Sequence, residues 1–76
     1  MSINVRFFAS LKERIGSATL EIDAQGITTA RDVWTSASGQ EADDEMLVAI
    51  HKEYAALDRT VADGAEVAFF PPVSGA

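Results

Sequence analysis

The stretch that decides the fold is residues 63–76, which read DGAEVAFFPPVSGA. Asp63-Gly64 is a turn signal, because both residue types suit the left-handed backbone of tight turns. Residues 66–70 follow as the last strand, with apolar side chains in alternation. Pro71 and Pro72 end this strand, since neither proline has an N–H to donate to a sheet. The segment therefore predicts a last strand that ends at the prolines and is followed by a tail outside the sheet.

The rest of the chain supplies the elements that this strand must join. Alternation predicts strands at residues 3–7 and 19–23, and a continuous apolar run predicts a central strand, buried on both faces, at 46–50. Residues 9–15 are expected to form a short helix, capped by Ser10 with Glu13 and stopped by Gly16. A short strand is also expected near Val61.

The main helix is predicted after Gly26 by apolar residues at helical spacing, namely Ala30, Val33, Trp34 and Ala37. Thr28 and Thr29 compete as its N-cap, and Asp32 lies three residues after Thr29. Ser38-Gly39 ends it. The expected core comprises Val5, Phe7, Leu20, Ile22, Val33, Trp34, Val48, Ile50, Val67 and Phe69.

Composition excludes several classes of function. The 76 residues predict one domain with a small core, and the net charge of −6 provides no basic footprint for nucleic acid. Proteins with basic grooves are the partners that this charge favours. No apolar run is long enough to span a membrane, and the first strand begins at once, so we expect no signal peptide and a cytoplasmic protein. With no cysteine, any sulfur chemistry cannot use a side-chain thiol.

The motifs closely resemble the small subunit of molybdopterin synthase. The resemblance spans essentially the whole chain and rests on VRFFA at residues 5–9, VAI at 48–50 and above all DGAEVAFFPPVSG at 63–75. It implies an α+β ubiquitin-like β-grasp fold, with a mixed sheet and one main helix packed on one face. The implied domain is residues 1–72, followed by a flexible tail at 73–76.

What the resemblance implies is a carrier without catalytic activity of its own and without a cofactor or metal. An ATP-dependent, ubiquitin-activating-like enzyme would adenylate the C-terminal carboxylate, and a sulfur donor would convert it to a thiocarboxylate. The large synthase subunit would then transfer the sulfur to a pterin precursor. The reactive end would be Gly75 and Ala76, and the partner-binding residues would be Phe8, Tyr54, Phe70, Pro71, Pro72, Val73 and Ser74.

The chemistry of the residues agrees with this role. In a chain without cysteine, the terminal acyl carbon is the sensible place for transferable sulfur. A small-residue end can thread a narrow tunnel, and four residues after Pro72 reach about 13 Å when extended. The family ends in Gly-Gly, whereas this chain ends in Gly75-Ala76. Three explanations stay open: the partners accept alanine, the terminus was altered to trap a non-reactive form, or the chain is a paralogue with another role.

Two aromatic residues are out of phase with the core. Phe8 and Phe70 follow the inward-facing Phe7 and Phe69, and the first and last strands of a β-grasp sheet are neighbours, so both rings should share the outer face. Scattered apolar surface residues need no explanation, but two clustered aromatic rings beside a tail favour a partner interface.

Other candidates have simpler interpretations. His51 is a lone histidine and is expected to be solvated, and Trp34 is expected in the core. The acidic residues Glu41, Asp43, Asp44 and Glu45 lack the spacing of a calcium loop. Arg6 and Lys52 could meet acidic groups of a partner, although an isolated surface charge contributes little.

Two other functions compete with the synthase carrier. A sulfur carrier of another pathway, such as thiamine biosynthesis, shares the fold and the tail, but the Phe-Phe-Pro-Pro-Val segment favours the molybdopterin branch. A ubiquitin-like interaction or modifier module would never carry sulfur.

Overall fold

A computed structural model describes residues 2–43 and 45–71 of the chain. In chain order the elements are β1 (Ser2–Phe7), α1 (Ser10–Ile15), β2 (Thr19–Asp23), α2 (Ala30–Ser38), β3 (Leu47–Ile50), β4 (Glu53–Ala55) and β5 (Glu66–Phe70). The predicted tail at 73–76, and the domain boundary at residue 72, lie outside the described residues.

The five strands form one mixed sheet in the order β2-β1-β5-β3-β4. The last strand, β5, occupies the middle: it pairs in parallel with β1, from Asn4 opposite Glu66 to Phe7 opposite Phe69, and antiparallel with β3. Helix α2 packs on one face through its buried apolar stripe. This arrangement confirms the predicted ubiquitin-like β-grasp fold.

The core is organised around three aromatic rings between the sheet and α2. The indole of Trp34 meets the rings of Phe7 and Phe69 edge-on, with centroids 6.0 and 5.3 Å away. The two phenylalanine rings stack at 6.2 Å because β1 and β5 place them side by side. The indole N–H of Trp34 donates to the carbonyl of Glu41 at 3.2 Å, so the core buries this polar atom with a partner.

Helix α2 begins at a capping box, which decides between the two N-cap candidates of the sequence. Thr29, rather than Thr28, is the N-cap: its hydroxyl accepts from the N–H of Asp32 at 3.3 Å. The Asp32 carboxylate in turn accepts from the N–H groups of Thr28 and Thr29 at 3.0 and 3.1 Å. These bonds lower the pKa of Asp32 below its usual value of 3.8, the bond from Thr28 contributing most. Gly39 ends the helix in the left-handed conformation.

One strand prediction is wrong, and another holds only in part. No strand forms near Val61 among the described residues, where Thr60 makes only an isolated bridge with Thr29. The fourth strand is instead Glu53–Ala55, which pairs with β3 through a tight turn. The apolar run does form an inner strand, β3, between β5 and β4, and Val48 and Ala49 are buried on its two faces. Burial on both faces fails at Leu47, which is 36% exposed on the outer face.

The predicted start of α1 is also wrong. Ser10 is the first helical residue, and the N-cap is Ala9, whose side chain offers no hydrogen bond. Ala9 has φ 53° and ψ −131°, so the chain turns from β1 into α1 through a conformation that alanine rarely adopts. The predicted stop at Gly16 is confirmed by its left-handed φ of 86°.

Seven of the ten expected core residues are buried, and three are only partly buried: Leu20, Ile22 and Ile50. Leu20 and Ile22 lie on β2, an edge strand that α2 covers incompletely, and Ile50 ends β3 beside a turn. Among the residues that the structure describes, no helix is long and apolar enough to cross a membrane.

The core makes a direct prediction for stability. Phe69→Ala should lower the free energy of unfolding by about 3–5 kcal/mol, because Phe69 is fully buried against Phe7 and Trp34. Such a loss is comparable to the whole stability of a small domain. Urea unfolding checks it, with Tyr54→Ala as an aromatic control, since Tyr54 is 75% exposed. If Phe69→Ala has the same urea midpoint as the control, Phe69 does not face the core as described.

The capping box predicts a pH dependence. The pKa of Asp32 is lower in the folded chain than its usual 3.8, so its ionised form stabilises the fold fully above that pH. The contribution is lost as the pH falls through the lower folded-state pKa. Asp32→Asn should therefore be less stable than wild type at neutral pH, and the difference should shrink in acid. Urea unfolding across a pH series measures it, with Glu53→Gln, an exposed residue at the start of β4, as control. A difference that persists unchanged in acid would contradict the role of the charge.

Candidate functional site

Three aromatic side chains form a continuous patch on the sheet face opposite α2. Phe8 and Phe70 stack with ring centroids 4.7 Å apart and planes 8° from parallel, and Tyr54 lies 6.1 Å from Phe70. We call Phe8, Tyr54 and Phe70 the aromatic patch. The predicted pairing of Phe8 with Phe70 on the outer face is thus confirmed, and the structure brings Tyr54 to the same place.

The sheet register positions each ring. Phe8 follows β1 directly, and its N–H donates to the carbonyl of Phe69 at 3.2 Å, which holds it beside Phe70. Tyr54 comes from the neighbouring hairpin, because β4 pairs with β3 and places it opposite Ala49. Alanines line the floor between the rings: Ala68 stands opposite Ala49 in the adjacent strand. Small residues there leave a shallow groove of about 270 Å³ between the rings.

The patch is accessible in the isolated chain. Phe8 is 40% exposed, Tyr54 is 75% exposed and Phe70 is partly buried. Large aromatic residues of this kind are enriched among the residues that dominate the energy of protein interfaces. Their clustering on one face of an acidic chain is typical of a docking surface rather than of scattered apolar residues.

Sequence reasoning missed one member of this surface, Leu47. It stands opposite Phe70 in the register of β3 with β5 and is 36% exposed. Leu47 lies in the apolar run at residues 46–50, and a run without polar residues shows no alternation that would indicate which side chains face outward. The phase of β5 could have found it: a residue paired with the outward Phe70 must itself face outward.

Charged groups border the groove on the side of the β3–β4 hairpin. Arg6, Lys52 and Glu66 line it together with the aromatic patch. The Arg6 guanidinium lies 3.9 Å from the Glu66 carboxylate, a loose ion pair between side chains that are 48% and 38% exposed. The exposed Lys52 has no ion pair within residues 2–43 and 45–71.

Lys52 sits in a tight turn of unusual backbone conformation. His51 and Lys52 are the two residues between Ile50 and Glu53, which pair with each other, and their φ angles are 51° and 69°. Two successive positive φ values define the type I′ hairpin turn, which strongly prefers Asn-Gly. Residues other than glycine adopt this conformation at a cost of about 1–2 kcal/mol each. His51 is exposed, as expected, and its N–H anchors the turn on the carbonyl of Glu66 at 3.0 Å.

The remaining predicted site residues follow Phe70. Pro71 is the last described residue and is partly buried directly beside the patch. The other predicted site residues lie outside the described residues: Pro72, Val73, Ser74, Gly75 and Ala76. The patch therefore lies where the chain leaves the central strand of the sheet. Within the described part of the chain, no group of three histidine, cysteine, aspartate or glutamate residues could hold a metal ion.

With this geometry in view, comparison with known proteins identifies the family. The sequence profile of the ThiS family matches residues 5–75. The chain belongs to the ThiS family. The match includes all five strands except the start of β1, and also the aromatic patch.

Relatives of this ThiS-family chain align over nearly their full length. The molybdopterin synthase sulfur carrier subunit of Escherichia coli strain K12 is 34% identical, with 96% of this chain and 98% of the relative aligned. Small archaeal modifier protein 1 of Haloferax volcanii is 35% identical, with 92% of this chain and 95% of the relative aligned. The crystal structure of that modifier protein superposes with a TM-score of 0.80 at 32% identity, covering 95% of this chain and 98% of the other.

Proposed function

We propose that the chain is the small sulfur-carrier subunit of a molybdopterin synthase. The observation that carries this proposal is the aromatic patch at the carboxyl end of β5, beside the point where the chain leaves the sheet. A carrier that reacts at its own terminus needs such an arrangement: a rigid surface that docks on a partner and a segment next to it that enters the partner's active site. The full-length similarity to synthase carrier subunits supports the assignment.

In the proposed cycle, sulfur is carried on the terminal acyl group. An adenylating enzyme attaches the AMP of ATP to the terminal carboxylate and releases pyrophosphate. A sulfur donor then displaces AMP, so that one carboxylate oxygen is replaced by sulfur. In the large synthase subunit this sulfur bonds to the pterin precursor, and water cleaves the bond between the sulfur and the acyl carbon, which supplies the oxygen that regenerates the carboxylate. The chain offers no side-chain thiol for a competing route, since it contains no cysteine.

The proposal divides the site into a docking part and a reactive part. Phe8, Tyr54, Phe70 and Pro71 make the docking part, and the reactive acyl group belongs to Ala76 after Gly75. The intervening tail comprises Pro72, Val73 and Ser74. We propose a cytoplasmic location, because activation consumes ATP. The chain performs no catalysis alone and acts as the sulfur donor of a heteromeric sulfurtransferase.

A second candidate is a ubiquitin-like protein modifier. The observation that favours it is the 35% identity to small archaeal modifier protein 1, together with the close superposition of that protein's structure. Both candidates begin with adenylation of the terminal carboxylate, so the second step separates them. A carrier accumulates as a free thiocarboxylate, whereas a modifier accumulates in covalent conjugates with other proteins. Intact-mass analysis and immunoblots of the tagged chain from its own cells distinguish the two. A thiamine-type carrier would form the thiocarboxylate but would not bind the synthase large subunit.

Docking can be tested at Phe70. Phe70→Ala should weaken binding to the synthase large subunit at least tenfold, because a central aromatic anchor commonly contributes about 2 kcal/mol or more. The fold should persist, since Phe70 is only partly buried on the outer face. Titration calorimetry measures the affinity and circular dichroism the fold. Thr35→Ala, exposed on α2 away from the sheet, is the control. If Phe70→Ala binds the large subunit with unchanged affinity, the aromatic patch is not part of the interface.

The reactive end can be tested at Ala76. Ala76→Gly should raise the rate of thiocarboxylate formation at least tenfold, because the methyl group narrows the conformations of the terminus and displaces the carboxylate from ATP. A misplacement of about 1 Å can cost roughly a hundredfold in rate. The measurement is a time course of intact mass with the same adenylating enzyme, ATP and sulfur source. Equal rates for both forms, at equal stability, would show that Gly-Ala is a working terminus.

A further inference from the structure

The aromatic patch carries a local charge opposite to that of the whole chain. The protein has a net charge of −6, yet the groove between the rings is lined by two cations and one carboxylate. Arg6 is engaged with Glu66, which leaves the Lys52 ammonium as the unmatched charge of the groove within the described residues. A basic partner would be attracted to the acidic chain at long range, but at the groove it would meet a local positive charge.

Backbone strain borders the same groove. Among the described residues, positive φ in non-glycine residues occurs at Ala9, His51 and Lys52. Ala9 directly follows Phe8, and the other two form the hairpin turn that leads to Tyr54. Strain of this kind persists only where the surrounding structure enforces it, and it tends to cluster at functional sites. Glycine at position 52 would relieve the strain in a two-residue turn but would remove the cation.

We propose that Lys52 is a specificity-determining residue of the docking surface, and that it pairs with a carboxylate at the rim of the partner's apolar face. The proposal rests on the proposed function, because it takes the large synthase subunit as the occupant of the aromatic patch. In this arrangement the rings supply the contact area, and the Lys52–carboxylate pair fixes the orientation of the partner. Correct orientation matters here because the tail must enter from one side of the patch.

A carboxylate fits the site better than a phosphate. Phosphate recognition typically uses planar arginine donors or several converging cations. Here the one arginine of the groove lies 3.9 Å from the Glu66 carboxylate, which offsets its charge, and the Lys52 ammonium is the second cation. The overall negative charge of the chain also disfavours a polyanion such as nucleic acid. The complement of this surface is therefore an apolar protein face with an acidic side chain at its edge.

Three variants of the full chain test the proposal. Lys52→Gly removes the charge and suits the turn, Lys52→Glu reverses the charge, and Arg59→Glu makes the same charge reversal outside the groove. Arg59 is an exposed loop residue whose carbonyl accepts from Ala30 at the start of α2. Affinity for the large synthase subunit from the same organism is measured by titration calorimetry, and Tm by differential scanning calorimetry.

Lys52→Gly should weaken binding roughly fivefold without lowering the Tm, because it removes a rim ion pair and relieves a strained φ. Lys52→Glu should weaken binding at least tenfold, since attraction becomes repulsion at close range. At high salt, where long-range effects of net charge are screened, Arg59→Glu should change the affinity less than twofold. Wild-type affinity for Lys52→Gly, a lowered Tm for that variant, or equal weakening by Lys52→Glu and Arg59→Glu would each overturn the proposal.

Zero-length cross-linking identifies the predicted carboxylate. A carbodiimide condenses an amine with a carboxylate that touches it, with loss of water. In the complex with the large subunit, peptide mass spectrometry should find Lys52 joined to an aspartate or glutamate of the partner. Cross-links only through Lys12 or the N-terminal amine would overturn the proposal. If the wild-type chain does not bind the large subunit at all, the proposed function is wrong, and the large subunit is not the partner of the aromatic patch. If the wild-type chain binds and the Lys52 variants bind equally well, only the present inference is overturned.

Discussion

The structure depends on the parallel pairing of β5 with β1. This contact joins residues that are about sixty positions apart in sequence, from Asn4 opposite Glu66 to Phe7 opposite Phe69. It closes the sheet around a central strand and stacks Phe7 on Phe69 beneath Trp34. Because side chains alternate along a strand, the same register that buries these rings also places Phe8 beside Phe70 on the opposite face. One set of backbone hydrogen bonds thus builds both the core and the docking surface.

The two faces of the sheet have different physical tasks. The face toward α2 carries the core, with Val5, Val67 and Phe69 fully buried. The outer face carries aromatic rings over small residues, with charges at the rim. Among the described residues, positive φ in non-glycine residues occurs in the connections at Ala9, His51 and Lys52, and not within a strand or helix. This distribution is expected when the core provides the stability and the surface is shaped for a partner.

Under the proposed function, the chemistry takes place at the terminus of the chain rather than at a side chain of the fold. A carrier that reacts at its terminus needs no nucleophile, base or metal of its own, because its partners supply them. What the fold must provide is orientation: a central strand that ends beside a docking patch, and proline immediately after it, which has a fixed φ and no N–H to extend the sheet. Under this proposal, Leu47, Lys52 and the strained hairpin turn belong to the functional site as much as the terminus does.

The sequence by itself determined the features that depend on local chemistry. Alternation indicated the phase of β1 and β5, two candidate N-cap threonines before Ala30 marked the start of α2, and glycines marked the helix ends. These signals need only a few neighbouring residues. Tertiary structure decided the rest: that β4 forms at Glu53–Ala55 rather than near Val61, that Leu47 faces outward, and that Leu20 and Ile22 stay partly exposed on an edge strand. Those outcomes depend on which strands become neighbours and which face α2 covers. Such long-range pairing leaves no mark on the local periodicity of the chain.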